Sequence, residues 1–150
     1  MIAATAYMFE FPLKDVIVEH VIEVPFIQEP SYEGSSVKVS QNEFLGISDG
    51  TGIFYVRDGF HVKYSVEPGA DPDRVRLYLE NQVLVALLHQ RKVINFHASS
   101  FIHERRGVMI LGGTGAGKSS LTVSFARQGA GFLTDDFSPV VFRNGLPHIW

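Results

Sequence analysis

The run Gly112-Gly113-Thr114-Gly115-Ala116-Gly117-Lys118-Ser119 constrains this chain more than any other stretch. It satisfies the pattern G-x-x-x-x-G-K-[ST] without adjustment, and its surroundings suit that pattern. Val108-Met109-Ile110-Leu111 before it reads as a short, buried central strand. Lys118 to about Arg127 after it reads as a helix, stopped by Gly129-Ala130-Gly131. Glycines let backbone N–H groups curl around phosphate oxygens, a geometry that side chains would obstruct. The helix adds the positive end of its dipole. In such a loop Lys118 reaches the β- and γ-phosphates, the Ser119 hydroxyl ligates Mg²⁺, and Ser120 extends the hydroxyl rim. The expected ligands are therefore ATP and Mg²⁺. The bland alternative is a glycine-rich turn that binds nothing.

Composition narrows the remaining classes. The 150 residues suffice for one real core, and 45% hydrophobic with 19% charged residues describes an ordinary soluble chain. A net charge of −3 supplies no basic field for nucleic acid. The absence of cysteine excludes disulfides and thiolate metal sites. No apolar run is long enough to span a bilayer, and Met1 to Ala6 lacks the form of a secretion signal, so no membrane association and a cytoplasmic location are expected. Few residues follow Ser119, fewer than a phosphate-loop domain ordinarily places there, which implies that the C-terminal part of the domain is missing.

Residues 1–67 read as a β-rich module, with candidate strands at Val16–Val18, Val21–Val24, Val37–Val39 and Ile53–Val56. Asp58-Gly59 marks a hairpin turn into Phe60–Tyr64. Pro68-Gly69-Ala70 is taken as a boundary, and residues 68–150 as a partial phosphate-loop domain. Asp71 caps a helix with Pro72 at its first position, and Val75, Tyr78, Leu79 and Val83 fall on one face of a helix expected to be buried on much of its surface and to end near Arg91. A strand from Val93 is expected to end at His97. Arg105-Arg106-Gly107 turns into the loop strand, Phe132–Thr134 is a strand ending at Asp135-Asp136, and Asn144-Gly145 turns a final hairpin.

Asp135 and Asp136 are the next candidates. The strand after a loop helix often lies beside the loop strand with its carboxyl end at the ligand crevice, which would bring both carboxylates to the γ-phosphate. One would hold magnesium and the other accept a proton from an attacking hydroxyl. The alternative is a solvated acidic turn. His97, at the end of the preceding strand, either faces this site or is a hydrogen-bonded packing residue. His20, His61, His89, His103 and His148 show no metal-ligand spacing.

His97-Ala98-Ser99, Gly112 to Ser119, Arg127-Gln128-Gly129 and Asp135-Asp136 together resemble the catalytic domain of the HPr kinase/phosphorylase family, over roughly residues 75–143. Leu77-Tyr78-Leu79, Leu87-Leu88-His89-Gln90-Arg91 and Phe96 to Ser99 look like its divergent HPr-kinase-related subgroup, such as the lasso-peptide serine kinases. The resemblance implies an α/β fold with a phosphate-loop kinase core behind the β-rich module. It also implies transfer of a phosphoryl group from ATP to a serine of a peptide or protein. Carried over, Lys118 binds phosphates, Ser119 and Asp135 hold Mg²⁺, Asp136 is the base and His97 hydrogen-bonds the acidic pair. The family's second acidic signature has no counterpart in Ser138 to Trp150. That leaves open whether this chain alone is active. A transporter-type ATPase and a nucleotide-binding sensor without chemistry remain alternatives, the acceptor is not identified, and homo-oligomerisation is open.

Overall fold

The computed structural model describes residues 11–149; the reading of Met1 to Ala6 lies outside them. The fold is mixed α/β and mostly sheet. The chain forms two compact units, one up to Lys92 and one from Val93 onward.

The first unit is a six-stranded sheet in the order β1-β6-β5-β4-β3-β2. Its strands are β1 (Ile17–His20), β2 (Tyr32–Glu33), β3 (Val37–Val39), β4 (Glu43–Ser48), β5 (Gly52–Arg57) and β6 (His61–Val66). β1 runs parallel to β6, and the other pairs are antiparallel. A helical segment follows, comprising α1 (Pro72–Tyr78), a π-helical turn (Leu79–Val83) and α2 (Leu84–Gln90). Leu79 and Leu84 keep right-handed helical dihedrals at both junctions, so the segment is continuous. The Asp71 carboxylate accepts the Asp73 N–H at 3.0 Å, and Pro72 opens the first turn where its missing N–H costs nothing.

Strand and helix periodicities meet in one core. Phe54 and Val56 of β5, and Val62 and Tyr64 of β6, lie two residues apart and so share a face. Val75, Leu79, Val83 and Leu87 recur every fourth residue and are all fully buried against them. Burying each such side chain contributes about 1.5–3 kcal/mol. The helix end is fastened to the β5–β6 turn. The Gln90 carboxamide oxygen accepts the Gly59 N–H at 2.6 Å, and Arg91 Nε donates to the Gly59 carbonyl at 2.6 Å. The Arg91 guanidinium also lies 4.5 Å from the Phe60 ring centre. Gln90 and Arg91, part of the stretch that carried the family resemblance, thus have a packing role here. The helix packs on the front sheet, so the compact unit closes at Lys92 and not at Pro68-Gly69-Ala70.

Two local expectations change. Val21–Val24 is not a strand: the Val21 N–H bonds the Tyr64 carbonyl at 2.9 Å, and the chain then bends away with Ile22 94% exposed. β4 (Glu43–Ser48) was not legible, because Gly46 interrupts its alternation. That glycine is needed, since a Cβ there would press on the Tyr78 hydroxyl and the Phe44 ring.

The second unit is built on one long strand, β7 (Ile94–His103), which runs past His97 where an end was expected. Glu104 and Arg105, both at positive φ, turn it into β8 (Arg106–Leu111), antiparallel to it. Among the described residues β8 pairs with β7 alone, and its apolar residues are only half-buried, so it is an edge strand and not a buried central one. α3 (Lys118–Arg127) follows and packs Phe125 on Phe101 with ring centres 4.6 Å apart. β9 (Gly131–Thr134) and β10 (Phe137–Arg143) pair antiparallel to the other side of β7, and β11 (Leu146–Ile149) completes a hairpin at Asn144-Gly145.

Candidate functional site

The strand bearing the acidic pair does not lie beside the loop strand as expected. β8 and β9 flank β7 on opposite sides, so β7 separates them. The physical reason is the hairpin: β7 turns back directly into β8 and keeps that edge, leaving only its other edge for β9 and β10. The carboxyl end of β9 nevertheless comes to the loop.

β9 and β10 follow one continuous course along β7. Thr134 lies opposite Ser100 and Phe137 opposite His97, with Asp135-Asp136 between them. In a regular strand two successive side chains point to opposite faces. Asp136 breaks that rule with a left-handed backbone, φ +81°, while its carbonyl still accepts the Ala98 N–H at 3.2 Å. Aspartate is among the few non-glycine residues that adopt that conformation, at a modest cost that its surroundings offset. As a result Asp135 and Asp136 both come to the loop. Asp135 Oδ1 accepts the Ser119 hydroxyl at 2.9 Å, and Asp136 lines the loop cavity.

That cavity measures about 350 Å³ and is walled by His97, Thr114 to Ser120, and Asp136. Gly115 and Gly117 have φ of +79° and +83°, conformations that a Cβ would strain, and they turn the loop into α3. A Cβ at Gly113, Gly115 or Gly117 would meet nothing within 4 Å, so the concavity is open to a ligand. Among the described residues no acceptor faces the N–H groups of Gly115, Gly117, Lys118 and Ser119.

Lys118 is the decisive side chain. It is only 8% exposed, and its ammonium donates to the carbonyls of Gly112 at 3.0 Å and Gly113 at 3.2 Å. Among the described residues it has no carboxylate partner. Burying a cation without a counter-charge is costly, so the loop presents a largely buried positive charge beside free N–H donors. An anion with several oxygens would satisfy both.

The sequence candidates therefore fall together. His97, Thr114, Gly115, Ala116, Gly117, Lys118, Ser119, Ser120 and Asp136 line one cavity, Asp135 joins through Ser119, and Gly112 and Gly113 hold Lys118. His97 sits exposed at the cavity with Phe137 as its strand partner. Comparison of the chain with protein-family models, with curated proteins and with solved structures finds no match.

Among the described residues no group of three His, Asp or Glu side chains could hold a metal by itself. The Ser119 hydroxyl and Asp135 carboxylate are hard oxygen donors at hydrogen-bond distance from one another. Such a pair fits Mg²⁺, which takes one or two protein oxygens and fills its remaining positions with phosphate and water.

Sequence reading missed a set of hydroxyls behind the acidic pair. Ser99, Ser100, Thr122 and Ser138 are fully buried. Ser99 donates to Thr122 Oγ1 at 2.7 Å, Ser100 and Thr134 share a hydrogen bond of 2.8 Å, and Thr134 and Ser138 share another of 2.8 Å. The only local signal was the pair Ser99-Ser100 between Ala98 and Phe101 in β7.

Proposed function

We propose that this chain is a phosphate-loop kinase that binds ATP with magnesium and transfers the γ-phosphoryl group to a serine hydroxyl of a peptide or protein. The observation that carries the reading is the largely buried Lys118 ammonium, without a carboxylate partner among the described residues, in a loop whose N–H groups at Gly115, Gly117, Lys118 and Ser119 make no hydrogen bond among the described residues. The resemblance to HPr kinase/phosphorylase catalytic domains, on His97, the loop and the Asp135-Asp136 pair, supports a kinase over an ATPase.

Lys118 and the loop N–H groups bind the β- and γ-phosphates and balance the charge that spreads over their oxygens during transfer. Ser119 and Asp135 hold magnesium, which supplies further charge neutralisation on the phosphates. Asp136, on the cavity wall, takes the proton of the acceptor hydroxyl. The serine oxygen forms its bond to the γ-phosphorus as the bond from that phosphorus to the bridging oxygen breaks. ADP leaves with that electron pair. His97, on the same wall, is the residue to which the family resemblance assigns a supporting hydrogen bond to the acidic pair.

The test begins with calorimetric titration of ATP with and without Mg²⁺ into wild type and Lys118→Ala. Incubation of MgATP with serine-containing peptides and small proteins, read by mass spectrometry, follows. Magnesium-dependent binding lost in Lys118→Ala, with a gain of one phosphate on a serine, is the expected result. Binding without transfer would leave a nucleotide sensor, and hydrolysis without transfer an ATPase. Absence of binding would end the proposal.

A further inference from the structure

We infer that the hydroxyl chain Ser100–Thr134–Ser138 is a positioning device that holds Asp135 and Asp136 in metal-binding and proton-accepting geometry; this rests on the kinase reading above. The acidic pair lies where β9 passes into β10, and the left-handed Asp136 backbone kinks the chain there. Thr134 precedes the pair and Ser138 follows shortly after it. Their hydroxyls are joined to each other at 2.8 Å, so the kink is closed from its two ends by a side-chain bond.

Both hydroxyls are also tied to the neighbouring strand. Thr134 pairs with the Ser100 hydroxyl at 2.8 Å, and Ser138 lies 3.1 Å from Ser100 Oγ and donates to the Ala98 carbonyl at 3.2 Å. Ala98 in turn donates its N–H to the Asp136 carbonyl, so the staple and the kink use the same β7 residue. A second tie, Ser99 to Thr122 at 2.7 Å, fixes α3 and its phosphate loop to β7. The loop and the acidic pair thus share β7 as a common reference, although they sit on its opposite edges. Ser100 and Ser138 are fully buried and Thr134 half-buried; buried hydroxyls cost desolvation that apolar residues would avoid, and a satisfied network returns a unique geometry. Partners one step behind a metal ligand typically change metal affinity about 10- to 100-fold when removed.

The experiment compares wild type, Thr134→Val, Ser138→Ala and Thr134→Ser. ADP affinity is measured in EDTA, and Mn²⁺ affinity of the ADP-saturated protein is measured by electron paramagnetic resonance. Thr134→Val and Ser138→Ala should weaken Mn²⁺ binding about tenfold or more while leaving metal-free ADP affinity within about twofold, and Thr134→Ser should restore the wild-type value. A merely structural role would lower metal-free and metal-dependent binding together, and that outcome overturns the inference. Unchanged Mn²⁺ affinity in both variants, with clear ADP and Mn²⁺ binding by wild type, also overturns it but leaves the nucleotide site standing. No ADP binding by wild type would refute the kinase reading and this inference with it. Should Thr134→Val fail to fold, Ser138→Ala, which removes one buried atom, carries the test.

Discussion

Replacing Lys118 by methionine should stabilise the second unit while destroying its ligand binding. Lys118 is 8% exposed and donates two hydrogen bonds, to the Gly112 and Gly113 carbonyls. Methionine keeps the length and apolar stem and removes the charge. Hydrogen bonds made by a charged donor contribute roughly 1.5–3 kcal/mol each. The desolvation of a buried ion costs several kcal/mol. Gly112 and Gly113 are exposed, so water takes over at their carbonyls and little of the lost bonding is left unsatisfied. The net expectation is a gain of about 1 kcal/mol, the usual sign when a functional charge is removed. Because the chain has two compact units, a single melting point would mix them. Native-state hydrogen exchange on β7 amides reports the second unit directly, and about 1 kcal/mol slows exchange there roughly fivefold. ATP affinity should fall about 100-fold or more, since two charge-assisted phosphate contacts disappear. Exchange accelerated by more than about tenfold in Lys118→Met would refute the reasoning, because Lys118 would then be a structural cation and not one held for a ligand.

Asp136→Asn should keep the fold, because asparagine tolerates the left-handed backbone, and keep MgATP affinity within a few-fold. Phosphoryl transfer should drop about 10²- to 10⁴-fold in a single-turnover assay; transfer at the wild-type rate would remove Asp136 from its role as base. Gly46→Ala should lower the urea midpoint of the first unit by about 1–3 kcal/mol equivalent, because the methyl presses on the Tyr78 hydroxyl and the Phe44 ring while Tyr78 is stacked on Phe54 at 4.3 Å. Tyr55 offers a pH test. Burial, and then the Glu43 carboxylate that its hydroxyl bonds, push its pKa from 10.0 up to about 12. The unfolded phenol therefore ionises first, so its contribution to stability is whole below pH 10 and is lost as pH rises through about 12. Urea titrations should show wild type losing stability relative to Tyr55→Phe only above that lower limit; equal slopes throughout would contradict the bond.

Much of this protein was legible without coordinates. The glycine-rich loop and α3 are contiguous in sequence, and their conformation is set by local rules: glycine where φ is positive, and a helix of the expected bounds, Lys118–Arg127. The Asp71 cap, the fourfold spacing of buried residues from Val75 to Leu87, and the Asn144-Gly145 hairpin were equally local. What stayed hidden depends on which segments meet. No periodicity in Val108–Leu111 tells an edge strand from a central one, and nothing near Phe132 says that β7 lies between it and the loop strand. The apolar face of the helix calls for a partner but does not name the front sheet. The left-handed Asp136 and the hydroxyls of Ser100, Thr134 and Ser138 are unremarkable as letters. Only the antiparallel pairing of β9 and β10 along β7 brings them together. The sequence by itself determined which groups are proposed to meet phosphate and magnesium, because that proposal rests on residues and their immediate neighbours. The tertiary structure alone decided that Asp135 and Asp136 both come to the loop, because strand order is settled by contacts between residues far apart in the chain.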